Sequence, residues 1–212
     1  MDFLVPPVRL DPTKPFYGLV IGYLAQLHGF IELCSRSISQ QLDRVPRATL
    51  SRFDSAAADA NAGEALKRIA AAGRTGLLGD QELASRTSSS LKVDVQRLSD
   101  ALVAEYQTAL EHFNEVACGG ALIVAWALTE PFHSAAPLWE FLRHCRNAAA
   151  HRGHFHFLNG EPRRPACWRD LEVIGGLQGT RLLRNPRESG FLDPGDVIYL
   201  LGDIEASYPE IH

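Results

Sequence analysis

The residues with the clearest chemical potential lie in one stretch, RHCRNAAAHRGHFHF, which runs from Arg143 to Phe157. Arginine is a permanent cation with a planar fork of donors that suits phosphate oxygens. Histidine is the side chain whose ordinary pKa suits proton transfer near neutral pH. Arg146, Asn147 and His151 therefore combine a phosphate clamp, an orienting amide and a proton acceptor. That combination suits metal-free cleavage of RNA, in which the ribose 2′-hydroxyl attacks phosphorus and an arginine stabilises the charged phosphorane.

The charge around this stretch favours an anionic ligand. No Asp or Glu lies in residues 143–160, and residues 143–164 hold five arginines against one glutamate. This predicts a local basic patch on a chain whose formal net charge is -4. The tentative RNA-binding residues are Arg143, His144 and Arg152.

Other interpretations of the same residues remain open. A helix face with Arg, Asn and His is in most proteins simply solvated. Four histidines lie within 13 residues, namely His144, His151, His154 and His156. No pair of them has the i,i+4 spacing that places two metal ligands on one helix face. We therefore predict no metal and no other cofactor. A serine hydrolase is disfavoured because the sequence has no GxSxG motif.

Composition predicts a soluble protein of a reducing, cytoplasmic compartment. The 212 residues are 46% hydrophobic and 22% charged, as in ordinary globular chains. The four cysteines are widely spaced and form no CxxC pair. The N-terminal sequence lacks the apolar segment of a signal peptide. The longest apolar run, VACGGALIVAWAL, is too short to span a bilayer, so we predict a buried element there and no membrane partner.

Hydrophobic spacing predicts a mainly helical fold. A long helix is expected over residues 16–43, with an apolar face that includes Leu24 and Ile31. Residues 47–90 are expected to form short helices and loops. A second long helix is expected over residues 95–113, with N-caps among the three serines at 88–90. The apolar run follows it as a kinked or separate buried helix that Pro131 ends.

The motif lies on a helix that begins near Ala136, with Pro137 in its first turn. At about 100 degrees per residue, the inward face consists of Leu138, Leu142, Cys145 and Ala149. Asn147 then points away from the core, Arg146 lies at the border, and Arg143, His144 and His151 flank the exposed face. The three alanines at 148–150 are expected to leave room around it.

After Gly153 the pattern changes to short extended segments around residues 154–158, 171–174 and 180–183. A last helix is signalled by Asp193 as N-cap, Pro194 as first helical residue and Asp196 two residues later. Residues 1–212 are therefore predicted to form a single domain. In it, residues 16–153 form the helical core, and residues 154–212 form a β-like extension and helix packed on it.

Arg146 to His151, RNAAAH, resembles the R-x4-6-H signature of the HEPN superfamily (higher eukaryotes and prokaryotes nucleotide-binding). Asn147 matches the polar residue that follows the arginine in that signature. The resemblance covers residues 16–153, and the C-terminal region has no clear counterpart in it.

The resemblance implies an all-α bundle that forms a homodimer, in which motif residues of two protomers face one cleft. It also implies a metal-independent endoribonuclease, such as the toxin of a toxin–antitoxin or other defence system, with an antitoxin protein as a possible partner. Arg146 and His151 would be the catalytic pair and Asn147 the supporting residue. The alternative is a non-catalytic HEPN-like interaction or scaffold module.

Overall fold

The computed structural model describes residues 12–44, 81–83, 91–185 and 187–211. Helices contain 61% of the described residues, so the prediction of a mainly helical fold is confirmed. The five helices of this part of the chain are α1 (Tyr17–Arg44), α2 (Val95–Ala104), α3 (Tyr106–Leu128), α4 (Pro137–Ala150) and α5 (Pro194–Ser207). The strands are β1 (Gln81–Leu83), β2 (Leu91–Val93), β3 (Cys167–Trp168) and β4 (Leu171–Glu172), and 3-10 turns cover Glu130–Phe132 and Gly175–Leu177.

The chain divides into two compact units. Unit 1 contains Met1–Gln26 and Leu110–His212, and unit 2 contains Leu27–Ala109. The motif helix α4 and the whole C-terminal extension belong to unit 1. The single domain over residues 1–212 stays a prediction.

Unit 2 differs from the sequence-based prediction in its helix boundaries. Asp94 is the N-cap of α2, and its carboxylate accepts a hydrogen bond from the Arg97 N–H at 3.0 Å. The continuous helix expected over residues 95–113 is instead interrupted at Glu105, which leaves the helical conformation with φ -113 and ψ 32. β1 and β2 form an antiparallel pair in which Gln81 lies opposite Val93. The expected serine caps at 88–90 and the rest of the expected loop region lie outside the described residues.

Helix α3 corrects the prediction that its apolar run is buried. The helix continues through the glycine pair at 119–120 without a break. Only one face is buried, and it consists of Cys118, Gly119, Leu122 and Ala125. Val116 remains 75% exposed and Leu128 52% exposed. The run is therefore the C-terminal half of a helix with one buried face and an exposed face that also carries apolar side chains.

Helix α1 follows its predicted apolar face only in part. Cys34 of that face is 5% exposed, as expected, but Ile31 is 49% exposed. In unit 1 its buried residues are Val20 and Tyr23, whereas Leu24 is 37% exposed. By length and composition alone, Tyr17–Ser35 is apolar enough to cross a membrane, with 19 residues and a mean hydropathy of 1.2. Core helices of soluble proteins meet the same criterion.

Helix α4 is the centre of the unit 1 core. It begins at Pro137, as predicted, because proline suits the first helical position. The side chains of Trp139, Phe141, Leu142 and Cys145 are all 0% exposed. Of the predicted inward face, Leu142 and Cys145 are buried, whereas Leu138 and Ala149 are only half-buried. Trp139 and Phe141 are buried as well, because segments of the C-terminal extension pack beside the helix.

The C-terminal extension packs against α4 and α5. β3 and β4 pair in antiparallel register, with Cys167 opposite Glu172. The Trp168 ring lies 5.8 Å from the Phe141 ring, measured between centroids. Its indole N–H donates to Asp203 of α5 at 2.8 Å. The expected extended segments at 154–158 and 180–183 are joined by an isolated bridge rather than a regular strand pair.

Helix α5 begins as the sequence predicts. Asp193 is its N-cap, and the Asp196 carboxylate accepts a hydrogen bond from the Asp193 N–H at 2.8 Å. Leu192 and Val197 are both buried, as expected of a hydrophobic staple. Residues close to one another in the sequence thus determine where α5 begins.

Truncating the core of α4 is expected to destabilise the protein strongly. Leu142→Ala removes a fully buried side chain and should lower the free energy of unfolding by about 2–5 kcal/mol. Leu158→Ala is the matched control, because Leu158 is 57% exposed and its loss should cost within about 0.5 kcal/mol. Urea unfolding followed by circular dichroism measures both. Equal unfolding free energies for the two variants would show that α4 is not in the core.

Candidate active site on helix α4

Arg146 is held by groups on two helices. Its side chain is half-buried, and Nη1 donates a hydrogen bond to the Asn147 amide oxygen at 2.8 Å. The guanidinium carbon lies 6.0 Å from the centre of the Trp126 ring of α3, within the range of a cation–π contact. The buried Nε has no hydrogen-bond partner among the described residues. Asn147 is half-buried rather than fully outward, and it orients the arginine, as its place in the motif suggests.

His133 completes the surroundings of Arg146 and was not identified from the sequence. Its Nε2 lies 3.0 Å from the Thr129 hydroxyl, and its ring centre lies 3.6 Å from that of Trp126. Burial lowers the pKa of His133, and the charge of Arg146 lowers it further against the opposing effect of Glu130. His133 reaches this position because the turn after α3, which contains Pro131, brings the chain back toward Trp126.

His151 lies at the C-cap of α4, at the surface of the protein. Its backbone N–H bonds to the Asn147 carbonyl at 3.0 Å, while its side chain is exposed. The imidazole lines an open depression with His154, His156, Arg152 and Gln178. Its ring centre lies 5.4 Å from that of His156. The ring is therefore accessible to a substrate.

The two catalytic candidates face different surroundings within one chain. Arg146 contacts Trp126 of α3, whereas His151 lies beside the segment that follows α4. In the part of the chain that the structure describes, no hydrogen bond, ion pair or ring contact joins them. Residues five apart differ by about 140 degrees around a helix, which accounts for the divergence.

His144 corrects the prediction of an exposed polar face. It is 2% exposed, so it lies in the core and not on a surface that RNA can reach. Its Nε2 lies 3.0 Å from Arg143 Nη2, and since arginine only donates, this nitrogen is the acceptor. Burial lowers the pKa of His144, and the charge of Arg143 lowers it further. His144 is a neutral structural residue.

Arg143 is held by carboxylates, which leaves it less able to contact RNA than the sequence suggested. It pairs with Glu140 at 2.8 Å and with Glu161 at 3.0 Å, and its side chain is 27% exposed. Arg164 also pairs with Glu140, at 3.3 Å. The predicted basic patch is therefore partly neutralised. Glu140 lies one helical turn before Arg143. It therefore falls just outside residues 143–164, the segment from which the basic patch was predicted.

Arg152, the third tentative RNA-binding residue, and the three alanines of the motif divide between surface and core. Arg152 is exposed, with a left-handed backbone at φ 58, and none of the ion pairs among the described residues includes it. Of the three alanines only Ala150 is exposed, because Ala148 packs in the core at 1% exposure. The room that the alanines were expected to leave is thus limited to the end of the helix.

The described residues contain no group of three or more His, Cys, Asp or Glu side chains placed to hold a metal ion. No protein-family model, curated protein or solved structure matches the chain. The resemblance to the HEPN signature therefore rests on the motif residues and on the helix that carries them.

The depressed pKa values of His144 and His133 predict a loss of stability in mild acid. Each native pKa lies below the ordinary value of 6.5. The unfolded chain therefore binds more protons as pH falls below about 6.5, and the free energy of unfolding decreases. Every pKa unit of difference is worth about 1.4 kcal/mol.

The test is the slope of unfolding free energy between pH 7 and pH 5. His144→Gln keeps an acceptor for Arg143 but does not titrate, so the slope should become shallower. Leu158→Gln, which changes an exposed side chain that does not titrate, is the control and should leave the slope unchanged. An unaltered slope in the His144 variant would mean that His144 accepts a proton without cost.

Proposed function

We propose that the protein is a metal-independent endoribonuclease of the HEPN type, with a composite active site at a homodimer interface. The observation that carries this proposal is the arrangement of α4. Asn147 orients the Arg146 guanidinium through a 2.8 Å hydrogen bond, and the same helix ends on the exposed imidazole of His151. Arg146, Asn147 and His151 are also the residues that match the HEPN signature.

In the proposed reaction, His151 removes the proton from a ribose 2′-hydroxyl. The 2′-oxygen attacks the adjacent phosphorus, the bond to the 5′-oxygen breaks, and the products are a 2′,3′-cyclic phosphate and a 5′-hydroxyl. Arg146 stabilises the additional negative charge on the phosphoryl oxygens, where a fixed donor is most effective.

The separation of Arg146 and His151 supports a dimeric site. In a two-fold symmetric pair each surface is used twice, so the arginine of one protomer can face the histidine of its partner. The exposed Ala150 lies between the motif positions and permits close approach of two α4 ends. RNA is the proposed substrate, and no cofactor enters the reaction.

The proposed setting is a cytoplasmic toxin or other defence nuclease, with an antitoxin as possible partner. The cysteines Cys34, Cys118, Cys145 and Cys167 are all free, which supports a reducing compartment. A non-catalytic HEPN-like interaction module is the second candidate. It is favoured by the Glu140 and Glu161 carboxylates, which neutralise Arg143 and Arg164 and reduce the attraction of the surface for RNA.

Removing either catalytic side chain is expected to abolish RNA cleavage. Loss of the base His151 or of the Arg146 contact should each lower the rate by about 10²- to 10⁴-fold, and Asn147→Ala should have a smaller effect. The controls are His112→Ala and Arg97→Ala, which change exposed side chains that are not motif residues. Cleavage of fluorescent RNA in excess EDTA measures the rate.

The substrate controls test whether the ribose 2′-hydroxyl is the nucleophile. Single-stranded DNA and 2′-O-methyl RNA should remain intact, and RNA products should end in 2′,3′-cyclic phosphate. If EDTA stops the reaction, the metal-independent mechanism is wrong. If Arg146→Ala/His151→Ala cuts RNA at the wild-type rate, the scaffold function replaces the enzyme.

The composite site requires a homodimer. Light scattering should give twice the monomer mass of 23.3 kDa. Ala150→Arg should weaken the dimer, since it places two bulky like charges near the two-fold axis. Ala206→Arg is the matched control, because Ala206 is exposed on α5. A monomer at every concentration would rule out the composite site.

A further inference from the structure

The segment after α4 is fixed to a neighbouring loop by its backbone. The Phe155 N–H donates to the Thr180 carbonyl at 2.9 Å, and the Gly179 N–H donates to the Phe155 carbonyl at 2.8 Å. The Phe157 N–H donates to the side-chain oxygen of Gln178 at 2.7 Å. The segment is thus held in an extended conformation although it is not part of a regular sheet.

Extended backbone places alternate side chains on opposite faces. Phe155 is 1% exposed, and its ring centre lies 5.3 Å from that of Phe191. Phe157 points the same way and packs edge-on against His144 at 5.5 Å. His156, between them, is therefore directed to the exposed face, and its position is set by two aromatic neighbours that anchor the chain.

This alternation brings His156 beside His151. Their ring centres are 5.4 Å apart, both side chains are exposed, and both line the same open depression together with Arg152. The other histidines of unit 1 that surround the motif use their ring nitrogens in internal bonds: His133, His144 and His154. In the described part of the chain, no hydrogen bond or ion pair engages the rings of His151 and His156.

We propose that His156 is a second catalytic residue, the general acid that protonates the leaving 5′-oxygen of the RNA. The proposal rests on the endoribonuclease function proposed above. His151 accepts the proton of the 2′-hydroxyl while the 2′-oxygen bonds to phosphorus. The bond from phosphorus to the 5′-oxygen breaks, and protonated His156 donates its proton to that oxygen. Charge and protons balance, and solvent returns both imidazoles to their starting forms.

The surroundings of the pair suit this division of tasks. Base and acid must reach two oxygens of the same phosphodiester, which requires neighbouring imidazoles with unoccupied nitrogens. Arg152 adds a cation to the same depression, and none of the ion pairs among the described residues includes it. Neither His156 nor Arg152 matches a position of the HEPN signature, so the structure and not the motif points to His156.

A substrate with an altered leaving group separates acid catalysis from binding or folding. In RNA with sulfur in place of the scissile 5′-oxygen, the leaving thiolate does not need protonation. His156→Gln should therefore lose about 10²- to 10⁴-fold in the cleavage rate of ordinary RNA and retain most of the wild-type rate on the sulfur-containing RNA. His151→Gln should lose activity on both, since the 2′-hydroxyl still requires a base.

The outcomes are distinguishable. If His156→Gln cuts ordinary RNA like the wild type, or if it loses as much activity on the sulfur-containing RNA, His156 is not the acid, whereas the endoribonuclease function stands. If the wild type cuts neither substrate, the endoribonuclease function fails and the assignment fails with it. Unfolding curves verify the fold of each variant, and His156→Asn is the replacement if the Gln variant does not fold.

Discussion

Burial of helix α4 is the constraint on which unit 1 depends. Trp139, Phe141, Leu142 and Cys145 are completely enclosed, and the same burial removes the Glu140 carboxylate from water. A buried carboxylate is stable only when it is paired and hydrogen-bonded. Glu140 meets this requirement through Arg143 and Arg164, so ordering of the segment that carries Arg164 is coupled to the core. Arg143, predicted as an RNA contact, and Arg164 of the predicted basic patch thus both serve the fold.

This constraint also determines where chemistry is possible on α4. Near its C-terminal end the helix comes to the surface on one side: Arg146 and Asn147 are half-buried, and Ala150 and the C-cap residue His151 are exposed. Arg146 is preorganised by Asn147 and Trp126, and His151 is free to meet a substrate. Arg146 and His151 do not contact each other within one chain, which is compatible with the proposed site shared between two protomers. The proposed second imidazole, His156, lies in the extension and is positioned by the phenylalanines on either side of it.

The sequence predicted those features that depend on neighbouring residues. Pro137 marks the start of α4, and Asp193, Pro194 and Asp196 mark the start of α5, because capping and the restricted φ of proline act within one turn. Features that depend on contacts between distant segments were missed. Three such features follow from packing that no local spacing encodes. They are the pairing of Arg143 with Glu161, the position of His133 beside Trp126, and the burial of His144. The break at Glu105 has no signal either, since glutamate is a good helix former.

The composite nature of the site is tested most directly by mixing two inactive protomers. One carries Arg146→Ala and keeps His151, and the other carries His151→Ala and keeps Arg146. In a heterodimer of the two, a site that takes Arg146 from one protomer and His151 from its partner is complete once and defective once. Co-expressed, differently tagged and purified heterodimers should therefore cut RNA at about half the wild-type rate per dimer, whereas each parent homodimer is inactive. Heterodimers as inactive as both parents would contradict a site shared between protomers.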